Sequence, residues 1–279
     1  MEQHLFILLL FTGAITVVLS VHRKYYLVQQ AMTWSDAQAY CRAHHVDLAI
    51  IESNDDLVQL QDEIQKQQLS ASAWIGLYND VNSWRWSMGN EPLGSVTLWG
   101  TDLPNNKGGH CECVFTSYWG WYDWACSDPT PFVCFDGTKI GDERYIFIDN
   151  SVTWSDALAY CRQYHTDLAS ARSEAENLVI RSFTPYGVWI GLYRDGWKWV
   201  DKSNLSPSPV SWMSGKPDNA LGNENCGYFY HGQAADAQCT DLMPFFCYRV
   251  STGQQTMRVK VQSEEDVNNP AVETAILEQ

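Results

Sequence analysis

The sequence predicts an α+β protein made of two copies of one domain. Three observations carry this. Thr33-Trp34-Ser35-Asp36-Ala37 returns as Thr153-Trp154-Ser155-Asp156-Ala157, 120 positions on, and Trp74-Ile75-Gly76-Leu77-Tyr78 returns at Trp189 to Tyr193, 115 positions on. Cys113, Cys126 and Cys134 return as Cys226, Cys239 and Cys247, 113 positions on. Each copy reads as a strand, two helices, and then strands and loops rich in Trp, Gly, Pro and Asn. A unit of this size is too long for a solenoid repeat and fits a globular domain. The shrinking spacing marks loop deletions.

The opening strands are Tyr25-Tyr26-Leu27-Val28 and Tyr145-Ile146-Phe147-Ile148. Thr33 and Thr153 then stand as helix N-caps, with Asp36 and Asp156 at the capping-box position. Ala37, Tyr40 and Cys41 recur at helical spacing, as do Ala157, Tyr160 and Cys161. A second helix starts at Ser53 with Asp56 and presents Leu57, Leu60 and Ile64. Its counterpart starts at Ser173 with Glu176 and presents Leu178, Val179 and Phe183.

Composition narrows the function classes. The chain has 279 residues, 45% of them hydrophobic, so a packed core is expected. Its formal net charge of -15 excludes nucleic acid as a natural partner, because phosphate binding needs clustered Lys and Arg. The 13 Trp and 14 Tyr serve cores and binding faces alike. Neither G-x-S-x-G nor H-E-x-x-H is present, nor a phosphate-binding glycine loop, and the chain reads as a binding protein, not an enzyme.

Residues 1–20 read as a secretory signal peptide. The apolar run Leu5 to Leu19 is short for a membrane span and ends in Val18-Leu19-Ser20. An uncleaved signal-anchor is the alternative, since Met1-Glu2-Gln3-His4 carries no Lys or Arg. No later stretch reads as a membrane span. Secretion permits disulfides, and all nine cysteines lie beyond the signal. The polar tail, 249–279, contains a helix start at Asn269-Pro270. Asn204-Leu205-Ser206 is the one N-glycosylation sequon, with Pro207 directly after it. His44, His45, His165 and His231 have no partner visible in the sequence.

The Trp-Ile-Gly-Leu tetrapeptides, four cysteine positions per copy, and Pro-Asn or Pro-Asp followed by a late Asp-x-x-Cys resemble a tandem pair of C-type lectin-like domains. The group most similar is that of the macrophage mannose receptor. The resemblance runs from Tyr25 to Tyr248, with domains at 25–135 and 144–248. It implies two helices, small antiparallel sheets and a long disulfide-pinned loop region in each domain. Sequence alone leaves three connectivities for each four-cysteine set. The resemblance implies Cys41–Cys134 and Cys113–Cys126 in the first copy, and Cys161–Cys247 and Cys226–Cys239 in the second. It also implies glycan or glycoprotein partners and a place in innate immunity.

The stretch Trp212 to Cys247 carries the functional question. In sugar-binding members, Ca²⁺ is held by Glu-Pro-Asn or Gln-Pro-Asp, a Glu before the third cysteine, and an Asn-Asp pair before the fourth. In the second copy Pro217 and Asp218 match the Gln-Pro-Asp type, which resembles galactose-preferring members. Glu224 and Asp236 also match, so Asp218, Glu224 and Asp236 are the candidate metal ligands, and Ca²⁺ is the candidate cofactor. Lys216 replaces the Gln, Ala235 the Asn, and Ala234 a Trp. A cation beside the site opposes a metal, and one reading stands the Lys216 ammonium among the three acids in its place. The alternative leaves Lys216 pointing to solvent.

In the first copy only Asn105 and Asp123 match. Leu103, Cys111 and Tyr122 stand at the other ligand positions, and no Ca²⁺ is expected there. Trp119, Trp121, Tyr122 and Trp124 form a candidate aromatic face, with Trp121 read as core. Cys111 is the unpaired cysteine, a candidate for a disulfide-linked dimer or for exchange with Cys113. A zinc site at His110-Cys111-Glu112-Cys113 is disfavoured by its spacing and by the oxidising compartment. The function expected is secreted carbohydrate binding, best through the second copy. The alternative is Ca²⁺-independent binding of a protein ligand.

Overall fold

The computed structural model describes residues 22–205 and 208–250. The signal peptide, the tail beyond residue 250, and Ser206 and Pro207 of the sequon region lie outside the described residues.

The chain opens with β1 (Arg23–Met32), α1 (Trp34–His44), β2 (Asp47–Leu48), α2 (Asn54–Gln67) and β3 (Ala73–Asn79). The long loop region of the first copy follows, with β4 (Arg85–Trp86), β5 (Cys113–Ser117), β6 (Gly120–Trp124) and β7 (Thr130–Phe135). The second copy repeats this as β8 (Tyr145–Val152), α3 (Trp154–Tyr164), β9 (Asp167–Leu168), α4 (Glu174–Arg181) and β10 (Val188–Tyr193). It ends with β11 (Trp197–Trp199), β12 (Ser211–Trp212), β13 (Cys226–Tyr230), β14 (Gln233–Ala237) and β15 (Met243–Val250).

The helix starts follow from their caps. Thr33 and Thr153 accept the N–H of Asp36 and Asp156. Ser53 and Asp56 close a full capping box, satisfying two N–H groups that the first helical turn leaves unpaired. Asp56 is buried and also receives Arg23 at 3.0 Å. In α4 the apolar face differs from expectation. Ile180 and Asn177 are buried, whereas Leu178 is 45% exposed and Phe183 lies beyond the helix end. The Asn177 Oδ1 accepts the indole N–H of Trp121 and the Thr116 hydroxyl, so a polar residue takes the inward position.

The sequence copies do not close on themselves. β1 of the first copy pairs antiparallel with β15 of the second, from Arg23↔Val250 to Val28↔Phe245. β7 of the first copy pairs with β8 of the second. One sheet therefore runs β1-β15-β3-β13-β14-β12, and the other β6-β5-β10-β7-β8. Residues 23–79 are completed by 197–250, and residues 85–193 form the other body as one continuous piece. In both bodies the Trp-Ile-Gly-Leu strand is central. β3 lies parallel to β15 and antiparallel to β13, and β10 lies parallel to β7 and antiparallel to β5.

This corrects two of the expected disulfides. Cys41 is bonded to Cys247, and Cys134 to Cys161, in place of Cys41–Cys134 and Cys161–Cys247. The inner pairs Cys113–Cys126 and Cys226–Cys239 are as expected. It also means that the segments 25–135 and 144–248 are repeats in sequence but not separate bodies. The physical reason lies in the connection. β7 and β8 are consecutive strands joined by residues 136–144, which include the 3-10 turn Gly141–Arg144, and closing a loop of that length costs far less than pairing strands about a hundred residues apart. Once that hairpin forms, Cys134 faces α3, and the N-terminal strand is left for β15.

Where the chain crosses between bodies, residues 79–85 and 193–198 are tied together. Lys198 reaches Asp80 at 2.9 Å and Asp195 at 3.2 Å, and Arg85 bonds Asp195 and the Tyr193 hydroxyl. The bond from Arg85 holds the Asp195 carboxyl below the usual carboxylate range.

Candidate functional site

The second-copy loop from Trp212 to Cys247 is held by β13 and β14, whose ladder places Asp236 opposite Gly227. Asp236 is 2% exposed. Its Oδ2 accepts the backbone N–H of Asp218 at 3.0 Å and of Asn219 at 2.7 Å. Its Oδ1 lies 3.3 Å from Lys216 Nζ. Asp236 is thus the post on which the loop hangs. The Lys216–Pro217 peptide bond is cis. Glu224 is 7% exposed, its N–H donates to Asn219 Oδ1 at 2.9 Å, and its Oε2 has no partner among the described residues.

Lys216 Nζ donates to Asp218 Oδ1 at 2.8 Å. Carboxylate oxygens of Asp218, Glu224 and Asp236 lie within 4.8 Å of one another. The structure therefore brings together all four second-copy candidates. Burial alone would lower the Lys216 pKa, but the hydrogen bond to Asp218 and the charge of the nearby Asp236 carboxylate outweigh it and raise the ammonium above its ordinary 10.5. The same ammonium, bonded directly, holds the Asp218 carboxyl below its ordinary 3.8.

Ca²⁺ takes six to eight oxygens at about 2.3–2.6 Å. Lys216 puts a positive charge against two of the three acids, and buried Ala235 stands where an amide oxygen is needed. The residues as arranged do not fit Ca²⁺.

The linkage signs follow from the two shifts. The Lys216 contribution is present below about pH 10.5 and is lost as pH rises through the raised folded value. The Asp218 contribution is present above pH 3.8 and is lost as pH falls through its depressed folded value. The stability this pair contributes is expected to hold level across neutral pH and to fall above about pH 10.5. Urea midpoints over a pH series, compared with those of Lys216→Gln, check it, and loss of the contribution near pH 7 would contradict it.

The first copy repeats the post without the cation. Asp123 accepts the N–H of Asn105 at 3.1 Å and of Asn106 at 2.6 Å, and Leu103–Pro104 is cis. Leu103 and Cys111 offer no ligand oxygen, and Tyr122 is stacked on Phe115. Trp121 is fully buried, whereas Trp119 is 74% exposed at the β5–β6 turn, beside Tyr118.

Cys111 is free but 5% exposed, and its Sγ–H donates to Lys107 O at 3.1 Å. Burial, then the nearby Asp123 carboxylate, pushes its thiol up to about 12. That position does not present the sulfur to a second chain, which corrects the expected dimer, and Cys113 is committed to Cys126. His165 faces Asp136 at 3.4 Å, a pairing across the β7–β8 connection that the sequence did not show.

Three residues at this site carry no mark as ligands in the sequence. Asn106 and Asn219 occupy matching positions, both with left-handed φ, 47° and 46°. Each side chain accepts an N–H from five residues on, Cys111 and Glu224 respectively. The repeated Pro-x-Asn at 104–106 and 217–219 was the available signal. The third is Arg194, which is 3% exposed and reaches into the first-copy loop. Asn219 Nδ2 donates to the carbonyls of Asn105 and Asn106 at 3.1 and 3.0 Å, so the two loops face each other. The contact is tight. Gly109 has φ of 76°, and a Cβ there would meet the Pro217 carbonyl carbon at 3.0 Å.

The Lectin C-type domain model matches residues 30–135 and 150–249. The chain belongs to the C-type lectin domain family. It is 24% identical over 260 residues to lymphocyte antigen 75 of Homo sapiens, covering 79% of this chain and 15% of that protein. It is 25% identical over 163 residues to L-selectin of Mus musculus, covering 54% and 42%. It is 30% identical over 165 residues to C-type mannose receptor 2 of Mus musculus, covering 53% and 11%. The chain therefore spans less than half the length of these curated relatives. Among solved structures, it resembles the C-type lectin CEL-I from Cucumaria echinata with a TM-score of 0.37 and 12% identity, covering 81% of this chain and 89% of that one. Human lithostathine gives 0.36 and 13%, covering 81% and 91%. No helix among the described residues is long and apolar enough to cross a membrane.

Proposed function

We propose that this chain is a secreted C-type lectin-like protein that binds carbohydrate through the 212–247 loop without a metal ion. The observation that carries the reading is the Lys216 ammonium, in contact with Asp218 and Asp236 where the family's ion would sit. A sugar hydroxyl both donates and accepts, and the cluster offers it both: ammonium N–H, and the carboxylates of Asp218 and Glu224. Half-exposed Asp218 makes the pair reachable. Membership of the family supports the ligand class, as does the likeness to a protein named a mannose receptor.

A second reading is favoured by Tyr118 and Trp119, which stand exposed at one turn as an anchor for a protein ligand would.

A glycan array with Ca²⁺ and with EDTA tests the first reading. Signal that is equal in both and lost in Asp218→Ala is expected. Signal abolished by EDTA would overturn it. Lys216→Gln completes the Gln-Pro-Asp triplet and removes the opposing charge, and Ala235→Asn supplies the missing amide oxygen. Calorimetry is expected to show Ca²⁺ binding in the double variant and none in the unaltered chain.

A further inference from the structure

Leu103 and Cys111 leave the first-copy loop without a ligand set of its own, yet that loop is built into the second-copy site. The two long loops meet at a seam. Gly109 packs on Pro217, so closely that a Cβ on Gly109 would lie 3.0 Å from the Pro217 carbonyl carbon and 3.1 Å from its carbonyl oxygen. Two residues on, Asn219 Nδ2 donates to the carbonyls of Asn105 at 3.1 Å and Asn106 at 3.0 Å. Pro217 and Asn219 are the two neighbours of Asp218 in the chain. Both are buried, while Asp218 between them is partly exposed and receives Lys216. The first-copy loop therefore grips the chain on both sides of Asp218. Asn219 carries the grip into the cluster. Its backbone N–H donates to Asp236 Oδ2 at 2.7 Å, and its Oδ1 accepts the N–H of Glu224 at 2.9 Å.

The support runs one way. Gly222 and Asn106 are the counterparts of Gly109 and Asn219, 113 positions apart. A Cβ on Gly222 would meet nothing within 4 Å, and Asn106 Nδ2 has no partner among the described residues. The second-copy loop does not hold the first in return. The first-copy loop is held from behind by Arg194, which donates to Asn106 Oδ1 at 2.8 Å and to Cys111 O at 3.2 Å. The second-copy loop has no such brace. Asn79 stands at the counterpart of Arg194, since their backbone N–H groups donate to the counterpart carbonyls of Asn225 and Glu112. Its short side chain instead accepts from Arg194 Nη1 at 2.6 Å.

We propose that the first-copy loop is the positioning half of the second-copy site: Arg194 fixes Asn106, and the first-copy loop in turn fixes Pro217 and Asn219 and so holds Asp218 on Lys216. Arg194, Gly109 and Asn219 are positioning residues that act through Asp218. A methyl group on Gly109 would stand well inside the roughly 3.5–4.0 Å that two carbon atoms prefer, so Pro217 must move away. The 2.8 Å bond from Lys216 to Asp218 weakens as that movement stretches it. What the cluster recognises rests on the carbohydrate reading above. The placing of Asp218 on Lys216 does not, and it is measured without a ligand.

The Asp218 carboxyl is titrated by carbon-13 NMR in the full chain, in EDTA and free of ligand. In the unaltered chain it is expected to titrate below 3.8. In Gly109→Ala it is expected to move up toward 3.8. Gly222→Ala puts the same methyl on the same left-handed backbone, φ 78° against 76°, but in open space, and Asp218 is expected to stay where it was. Arg194→Lys keeps the charge without the guanidinium fork and should move Asp218 in the same direction as Gly109→Ala, which keeps the test decisive if one variant fails to fold. On the glycan array in EDTA, Gly109→Ala is expected to lose about tenfold in signal. A lower urea midpoint in Gly109→Ala and Arg194→Lys with the Asp218 titration unmoved would mean a seam that only stabilises, and would overturn the proposal. So would equal movement of Asp218 in Gly109→Ala and Gly222→Ala. Movement of Asp218 as expected, with no glycan signal from the unaltered chain, would support the positioning and overturn the carbohydrate reading instead.

Discussion

Replacing Cys41 with serine is expected to free the thiol of Cys247, not that of Cys134, and to destabilise the fold strongly. The bond joins residues 206 apart in sequence, so it removes a large loop entropy from the unfolded chain. In the chain-entropy limit that is worth about 5 kcal/mol. Thiol labelling followed by peptide mass mapping identifies the freed cysteine, and urea unfolding measures the loss. A label on Cys134 would mean that each sequence copy closes on itself. Cys161→Ser carries the mirror expectation, with the free thiol at Cys134. Its loop spans only 27 residues, so the loss is expected to be smaller, about 3.5 kcal/mol.

The second large effect is expected at Asp236. Alanine there leaves two backbone N–H groups without an acceptor and strips Lys216 of one of its two carboxylates. Removing one partner of a buried charged pair costs about 3 kcal/mol at the lower end of its range. That end applies because Lys216 keeps Asp218 and is partly exposed. Asp123→Ala removes the same two kinds of backbone bond but no lysine contact, so about 2 kcal/mol is expected. Urea midpoints of the two variants, compared with the unaltered chain, check both the size and the order. Equal losses would mean that the Lys216 contact adds nothing to the fold.

Much of the local structure was legible. Thr33, Ser53, Thr153 and Ser173 announce four helix starts, because a hydroxyl before an apolar period has a defined partner three residues on. The Trp-Ile-Gly-Leu runs read as strands and are the sheet centres. At the site, the charge pattern around Lys216 left two arrangements open, an ammonium among carboxylates or a lysine in solvent, and the contacts with Asp218 and Asp236 are seen only in the fold.

What the sequence could not show was which copy completes which. Phe132-Val133-Cys134-Phe135 and Phe245-Phe246-Cys247-Tyr248 are nearly the same strand, and either suits β1 or β8. Side-chain pattern is degenerate between the copies, so the choice falls to the connection between β7 and β8. Arg194 was silent for the same reason. Its role depends on a loop from the other copy being within reach, which only the exchanged arrangement supplies. Leu178 misled because Asn177 takes the inward position through its bonds to Trp121 and Thr116.

The exchange of halves is the claim on which the seam and the crossing network both depend. It is tested most directly by cutting the chain once. Thr138, Lys139, Ile140 and Gly141 are exposed in the connection between β7 and β8. A site-specific protease sequence placed there separates the chain into two pieces, each carrying one sequence copy. Cys41–Cys247 and Cys134–Cys161 both span that cut. After cleavage, non-reducing electrophoresis should therefore show one species of undiminished mass that falls into two fragments only on reduction. Two fragments without reductant would contradict the exchange.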